Sequence, residues 1–334
     1  MDQHAADEPI DVVGIGNALV DVISHETDEM VADHGLVKGS MNLIETERAE
    51  KLYADMGAGI EVSGGSAANT MVGVASFGGT AAYFGKVCDD QLGEVFLHDL
   101  KATGVEPVVS PAIEGAPTGR CLILVTPDAE RTMNTYLGAS VEMHPSDIDD
   151  SIVRRAREVY LEGYLWDRPD PQEAMLRVAR VAREGGARVS LTLSDSFCVD
   201  RHRESFLTLV EHEVDLLFAN TDEIRSLYEV DDLDAAVERV RQQCDLAAIT
   251  MSAEGSLIVT PDDVIKVDAE PVERVLDTTG AGDLYAAGFL FGLAKELPLE
   301  LCGRLASIAA AEVISHVGAR PAITLHDAVA DLLG

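Results

Sequence analysis

DTTGAGDLYAAG, residues 277–288, places a turn of minimal bulk between two aspartates and directly ahead of a helix-forming run. The preceding VERVLDTT reads as extended chain. DLYAAGFLFGLAKEL (283–297) is apolar around most of its circumference, which predicts a buried helix. A helix N-terminus carries unpaired N–H groups and a partial positive charge, and Gly280, Ala281 and Gly282 would let an anion approach that backbone closely. Asp283 fits two roles. It could cap the helix, as Asp commonly does. It could instead be a base that deprotonates an attacking hydroxyl while the amides stabilise charge on a phosphoryl group in transfer.

Working outward, VSGGSAANTMVGVASFGG (62–79) again sets small residues, Gly64 and Gly65, before a helical stretch that begins with polar Ser66 and Asn69. Asn17 and Asp21 follow the first apolar strand, IDVVGIGN (10–17). Asp21 and Asn69 supply acceptors and donors suited to a polyol. Further strands are predicted at 80–87, 157–163, 187–193, 214–220, 246–252 and 255–261, with helices at 171–184, 221–229 and 232–242. Strands alternating with helices of this length imply βαβ units with right-handed crossovers and a parallel sheet. Open sheets of this kind bind ligands at their carboxyl edge, where the two glycine turns could converge. TGRCLILVTPDAERTMNTY (118–136) breaks the rhythm as two alternating strands around a Pro-Asp-Ala-Glu turn. With the poorly helical stretch from about Ser24 to Val62, it predicts a small β lid over the ligand edge. Neither glycine cluster is a GxxxxGK[ST] phosphate loop, and GIGNAL lacks the third glycine of a dinucleotide fingerprint.

The 334 residues, 47% hydrophobic and 25% charged, are ordinary globular material. The formal net charge of −34 disfavours nucleic acid and anionic membranes as partners. An anionic ligand would therefore need local attraction from helix ends, an arginine or a divalent metal. No segment reads as a membrane span or secretory signal, so a cytoplasmic protein is expected. Five scattered cysteines without a CxxC, and histidines without HxH or HExxH, suggest neither disulfides nor a protein-ligated metal.

DTTGAGD, GGSAANT and the early GNALVD, in this order and spacing, resemble the motifs of the ribokinase-like (PfkB-type) carbohydrate and nucleoside kinases, from about Asp11 to Pro321. The run YLEGYLWDRPDPQEAMLRVARVAREGGARVSLTLSDSFCVDRHRESF (160–206), followed by VDLLFANTDEI (214–224), is similar in layout to the adenosine kinases of that family. The resemblance implies a three-layer α/β/α core around a mostly parallel sheet, as one domain over 1–334. Parts of about 18–62 and 113–137 would form the lid. It implies ATP-dependent phosphorylation of adenosine at its 5′-hydroxyl, or the same transfer to another nucleoside or to ribose, fructose or a related polyol. The cofactors would be ATP and Mg²⁺, with K⁺ as a further cation, and the protein a monomer or homodimer.

Carried over by position, the resemblance makes Asp283 the base and Gly280, Ala281 and Gly282 the anion hole. Asn17, Asp21, Gly64, Gly65 and Asn69 would hold the ribose. Tyr164 and Phe197 would lie against the nucleobase, with core packing as the other reading of Tyr164. Glu223 would place Mg²⁺ through water, or simply complete a helix start capped by Asn220. Arg131 of the hairpin, Asn220, Ser252 and Gly255 of the Ser252 to Ser256 stretch, and Gly318 of the Val317-Gly318-Ala319-Arg320 loop would meet phosphate or nucleotide. Asp277 would help bind the monovalent cation. Three places depart from the family pattern: Cys88 replaces a glycine in GKVCDDQLG, TMSAEGS lacks the first glycine of TxGxxG, and Lys38-Gly39-Ser40-Met41 offers no clear polar partner for a base.

Overall fold

IDVVGI, residues Ile10–Ile15, is buried along its whole length, as a central strand of a parallel sheet is when helices cover both faces. The computed structural model describes residues 8–109, 111–128 and 130–333. In chain order its strands are β1 (Ile10–Ile15), β2 (Leu19–His25), β3 (Met41–Leu43), β4 (Ile60–Gly64), β5 (Ala81–Phe84), β6 (Val105–Pro107) and β7 (Gly119–Val125). They continue as β8 (Arg131–Tyr136), β9 (Ala156–Glu162), β10 (Arg188–Thr192), β11 (Leu216–Asn220), β12 (Leu246–Thr250), β13 (Ser256–Val259) and β14 (Val264–Val267). Among the described residues, nine form one sheet in the order β14-β13-β12-β11-β10-β9-β1-β5-β6. The run from β12 to β6 is parallel, and β13 and β14 close one edge antiparallel.

Every strand expected in the core is present. The one expected over 80–87 ends at Phe84, and Gly85 to Val87 continue without strand pairing. Strands β6 and β14, of three and four residues, are too short to show a period. The helix Pro169–Gly185 illustrates the local logic: proline opens it, Ala174, Met175, Val178 and Ala182 make its buried stripe, and Gly186 ends it at φ +82°. Separate apolar cores lie on the two faces of the sheet, one around Met175, Leu191 and Phe206, the other around Phe77, Phe289 and Leu305.

The helix Ala281–Ala294 is buried from Leu284 through Gly292. It lies between the helices Ser66–Ser76 and Leu299–Ile314. Small residues permit that approach. A Cβ on Gly73 would sit 2.5 Å from Ala287 Cβ, and one on Gly288 would sit 2.7 Å from the Ala306 backbone. Because backbone cannot yield as a flexible side chain does, Gly288→Ala is expected to cost about 1–3 kcal/mol. A fall in the urea midpoint at unchanged m-value would record it.

The smaller sheet, β3-β8-β7-β2-β4, is the lid. Strands β7 and β8 pair antiparallel from Arg120↔Tyr136 to Val125↔Arg131, as expected, and Ala129 in their connecting turn lies outside the described residues. Val22, Val31, Leu52, Leu122 and Leu124 give the lid its own small core. Strand β1 enters β2 through Gly16-Asn17-Ala18, and β4 enters the helix Ser66–Ser76 through Gly65. From β1 the chain first builds outward to β5 and β6, then returns to build from β9 in the other direction. The β1/β9 boundary is therefore the topological switch point, where open α/β sheets form their ligand crevice.

Candidate active site

Glu162, the last residue of β9, sits at that switch point and is 1% exposed. Its Oε1 accepts from the Asn17 backbone N–H (3.1 Å) and from Asn17 Nδ2 (2.8 Å). Its Oε2 accepts from the Ala67 N–H (2.8 Å) at the start of the GGSAANT helix. One carboxylate thus joins the turn after β1 to the second glycine motif. Gly16 makes room for it, since a Cβ there would lie 2.3 Å from Oε2. Asn17, expected to face the ribose, is 1% exposed and turned toward Glu162. Glu162 was not among the expected site residues. Its signal is a lone ionisable side chain closing the apolar run VYLEG.

Gly65 adopts φ +96°, and a Cβ there would meet the Asn17 carbonyl oxygen at 2.3 Å. Gly64 leaves space for Asp21, whose carboxylate would lie 2.7 Å from an added Cβ. Burial pushes the Asp21 carboxyl up to about 6, with the Arg131 and Arg320 charges opposing the rise.

The two glycine motifs meet at Asp283. Ser66 Oγ donates to its Oδ1 (2.6 Å), and Asn69 Nδ2 donates to its Oδ2 (3.1 Å). The capping role does not apply. Asp283 is in the first turn, Gly280 is the cap residue, and no side chain caps this helix. Burial raises the Asp283 pKa above the usual carboxylate value, while the Ser66 and Asn69 donors act to lower it. The amides of Gly282 and Asp283 find no backbone acceptor among the described residues. Gly280 holds φ +80° with the Ala319 backbone 2.7 Å from where its Cβ would be, so the turn tolerates no side chain. A Cβ on Gly282 or Gly318 would meet nothing within 4 Å. Unpaired amides facing open space at a helix N-terminus fit the phosphate of a nucleotide.

Asp277 is fully engaged. Its Oδ1 accepts from the Thr279 N–H (3.0 Å) and hydroxyl (2.6 Å), and its Oδ2 accepts from Arg131 Nη1 and the Gly318 N–H (3.0 Å). The expected K⁺ ligand is therefore occupied by a guanidinium from the lid, and the donor set does not fit a monovalent cation. Arg131 joins the lid strand β8 to the DTTGAGD turn.

Asn220 caps the helix Thr221–Tyr228 by accepting from the Asp222 and Glu223 amides, and Glu223 returns both oxygens to Asn220. The capped-helix reading is thus what the geometry contains, and any role for Glu223 toward Mg²⁺ would act through water. Among the described residues, no group of three or more His, Cys, Asp or Glu is arranged to hold a metal. Ser252 and Gly255 form the turn between β12 and β13, with Gly255 at φ +89° pressed against the Val267 carbonyl. They stand beside the Asn220 end of β11, in register at Thr250. Tyr164 donates to Asp195 Oδ2 (2.9 Å) and packs on the core, whereas Phe197 is 73% exposed beneath the Arg201 guanidinium.

Besides Asp283, four buried carboxyls titrate high: Asp21 at about 6, Glu162 and Glu223 at about 7, and Glu158 at about 8, burial being the main cause in each. Between the ordinary carboxylate range and pH 8 the folded chain holds protons that the unfolded chain has released. Their stabilising contribution is complete below the unfolded pKa values and is lost as pH rises through the folded ones. The urea midpoint is expected to be higher at about pH 6 than at about pH 8. An equal or lower midpoint at pH 6 would contradict this.

A buried carboxylate set beside unpaired helix-end amides under a β lid fits a phosphotransferase with an alcohol group as acceptor. Residues 38–325 match the model of the pfkB family of carbohydrate kinases, and the chain belongs to that family. It is similar to the crystal structure of adenosine kinase from Sinorhizobium meliloti, with 50% identity, TM-score 0.90, and 97% of this chain and 99% of that one covered. It is also similar to a probable sugar kinase from Rhizobium etli CFN 42, with 48% identity, TM-score 0.91 and the same coverages. An ATP-dependent ribose-1-phosphate kinase from Halopiger xanaduensis is 30% identical over 89% of this chain and 97% of its own length. No helix of the described residues is long and apolar enough to cross a membrane.

Proposed function

We propose that the protein transfers the γ-phosphoryl group of ATP to the 5′-hydroxyl of adenosine, giving AMP and ADP. The observation that carries this reading is the position of Asp283, held by two donors of the GGSAANT helix and flanked by the free amides of its own. Residues 1–334 act as one kinase unit, with the lid drawn from about 18–62 and 113–137. Asp21 and the turn at Gly64 and Gly65 receive the ribose, and Asn17 supports that turn from below. Asp283 takes the proton of the attacking hydroxyl, its oxygens being oriented by the Ser66 and Asn69 donors. The free amides of Gly282 and Asp283 stabilise charge on the phosphoryl group, whereas the Ala281 N–H, expected to share that role, donates to the Thr278 carbonyl (3.2 Å). ATP·Mg²⁺, when bound, supplies that group and the positive charge that this acidic protein lacks. Ser252, Gly255, Asn220 and Gly318 border the nucleotide side, and Arg131 shields the site as part of the lid. The setting is cytoplasmic, with a monomer or homodimer acting on a small molecule.

A second reading, a kinase of ribose, fructose or a related polyol, draws on two facts: the likeness to the probable sugar kinase, and the exposure of Phe197, one of the two aromatics expected against a base. Adenosine, other nucleosides, ribose and fructose, each supplied with ATP and Mg²⁺, should show AMP formation as the fastest reaction. Consumption of a free sugar with adenosine left intact would replace the first reading by the second.

A further inference from the structure

Arg320 follows the helix Leu299–Ile314 in the loop that the family resemblance assigns to the nucleotide pocket. Its side chain turns the other way. Arg320 Nε donates to Asn69 Oδ1 (3.2 Å), and the same Asn69 donates through Nδ2 to Asp283 Oδ2 (3.1 Å). On the reading of Asp283 as base, we propose that Arg320 is a positioning residue that fixes the Asn69 amide and, through it, the Asp283 carboxylate.

A carboxamide has one accepting end and one donating end, and a flip exchanges them. Arginine can only donate and an ionised carboxylate can only accept. Asn69 between them has a single orientation that satisfies both neighbours. At 4% exposure it has little water to replace either bond. Without the guanidinium, nothing on the far side opposes a flip that would set a carbonyl oxygen against Asp283. Arg320 is itself held in place: Ala319, the preceding residue, packs on Gly280, and Gly318 donates to Asp277. The contact that shapes the anion-binding turn therefore also aims the guanidinium at the residue orienting the base. The charge of Arg320 acts on Asp99 and Asp21 as well, placing it behind the acceptor site.

The test is a double-mutant cycle of R320A and N69A, with adenosine as acceptor. R320A is expected to lower kcat by about 10- to 100-fold with KM for ATP nearly unchanged. In the N69A background the same substitution should add little, because its route to Asp283 is already gone. R320Q, which keeps a donor able to reach Asn69, should recover part of the loss and serves if R320A folds poorly. Full multiplicative penalties in the cycle, or unchanged kcat in well-folded R320A and R320Q, would overturn the proposal. D283N in the same assay separates the two readings. If D283N stays active the assignment of the base fails, whereas an inactive D283N with an additive cycle removes only the role of Arg320.

Discussion

Asp283→Asn is expected to lower kcat by about 10²- to 10⁴-fold, the usual loss for removal of a positioned base, with thermal stability unchanged or slightly raised. The substituted side chain keeps the shape of Asp and can still accept from Ser66 through its oxygen. It cannot take a proton from a hydroxyl. Two local effects on stability oppose each other. The new amide nitrogen would face Asn69 Nδ2 and forfeit one hydrogen bond. A charge whose burial is unfavourable would also be removed. Residues at working sites often carry such a stability cost. Steady-state kinetics with adenosine and ATP, together with a melting curve, measure both quantities. A D283N protein retaining a tenth or more of wild-type kcat would show that another group accepts the proton.

The largest effect on stability is expected at Glu162. Replacement by Ala would leave the Asn17 N–H, Asn17 Nδ2 and the Ala67 N–H without their acceptor in a buried setting. An unsatisfied buried donor costs about 1–3 kcal/mol. Relief of the buried carboxylate, which titrates at about 7, offsets part of the total. A net loss of about 2–5 kcal/mol follows. Glu162→Gln should cost less, because it keeps one acceptor and turns an NH₂ toward only one of the facing donors. Urea unfolding of both variants gives the comparison. A loss below about 1 kcal/mol for E162A would mean that the β1 turn and the GGSAANT helix are joined by something else. Activity should fall with stability, since Ser66 directly precedes Ala67 and holds Asp283.

Much of the site is legible in the chain. Apolar runs of strand length alternating with amphipathic helices specify a parallel sheet, because both faces of its strands must be covered. Gly280 and Gly65 announce turns that only glycine can adopt at those contacts. Less legible are residues whose partners are distant along the chain. Glu162 reaches Asn17 across 145 residues, Asn69 reaches Asp283 across 214 and Arg320 reaches Asn69 across 251. A local window shows Glu162 only as a charged strand end and Arg320 only as a loop cation. Asp277 is the clearest case. The family resemblance makes it a candidate cation ligand, yet a lid arginine remote in sequence pairs with it.

By itself, then, the sequence determined the fold class, the lid, the helix with free amides and the identity of the candidate base, since each depends on period, bulk or backbone freedom within a short span. Only the tertiary structure decided that Asp283 is held rather than capping, that Asn17 is a support, and that Asp277 belongs to Arg131. It also decided that Arg320 donates to Asn69. Those outcomes depend on which donors and acceptors meet in space, and a buried polar group takes the partner that packing brings to it.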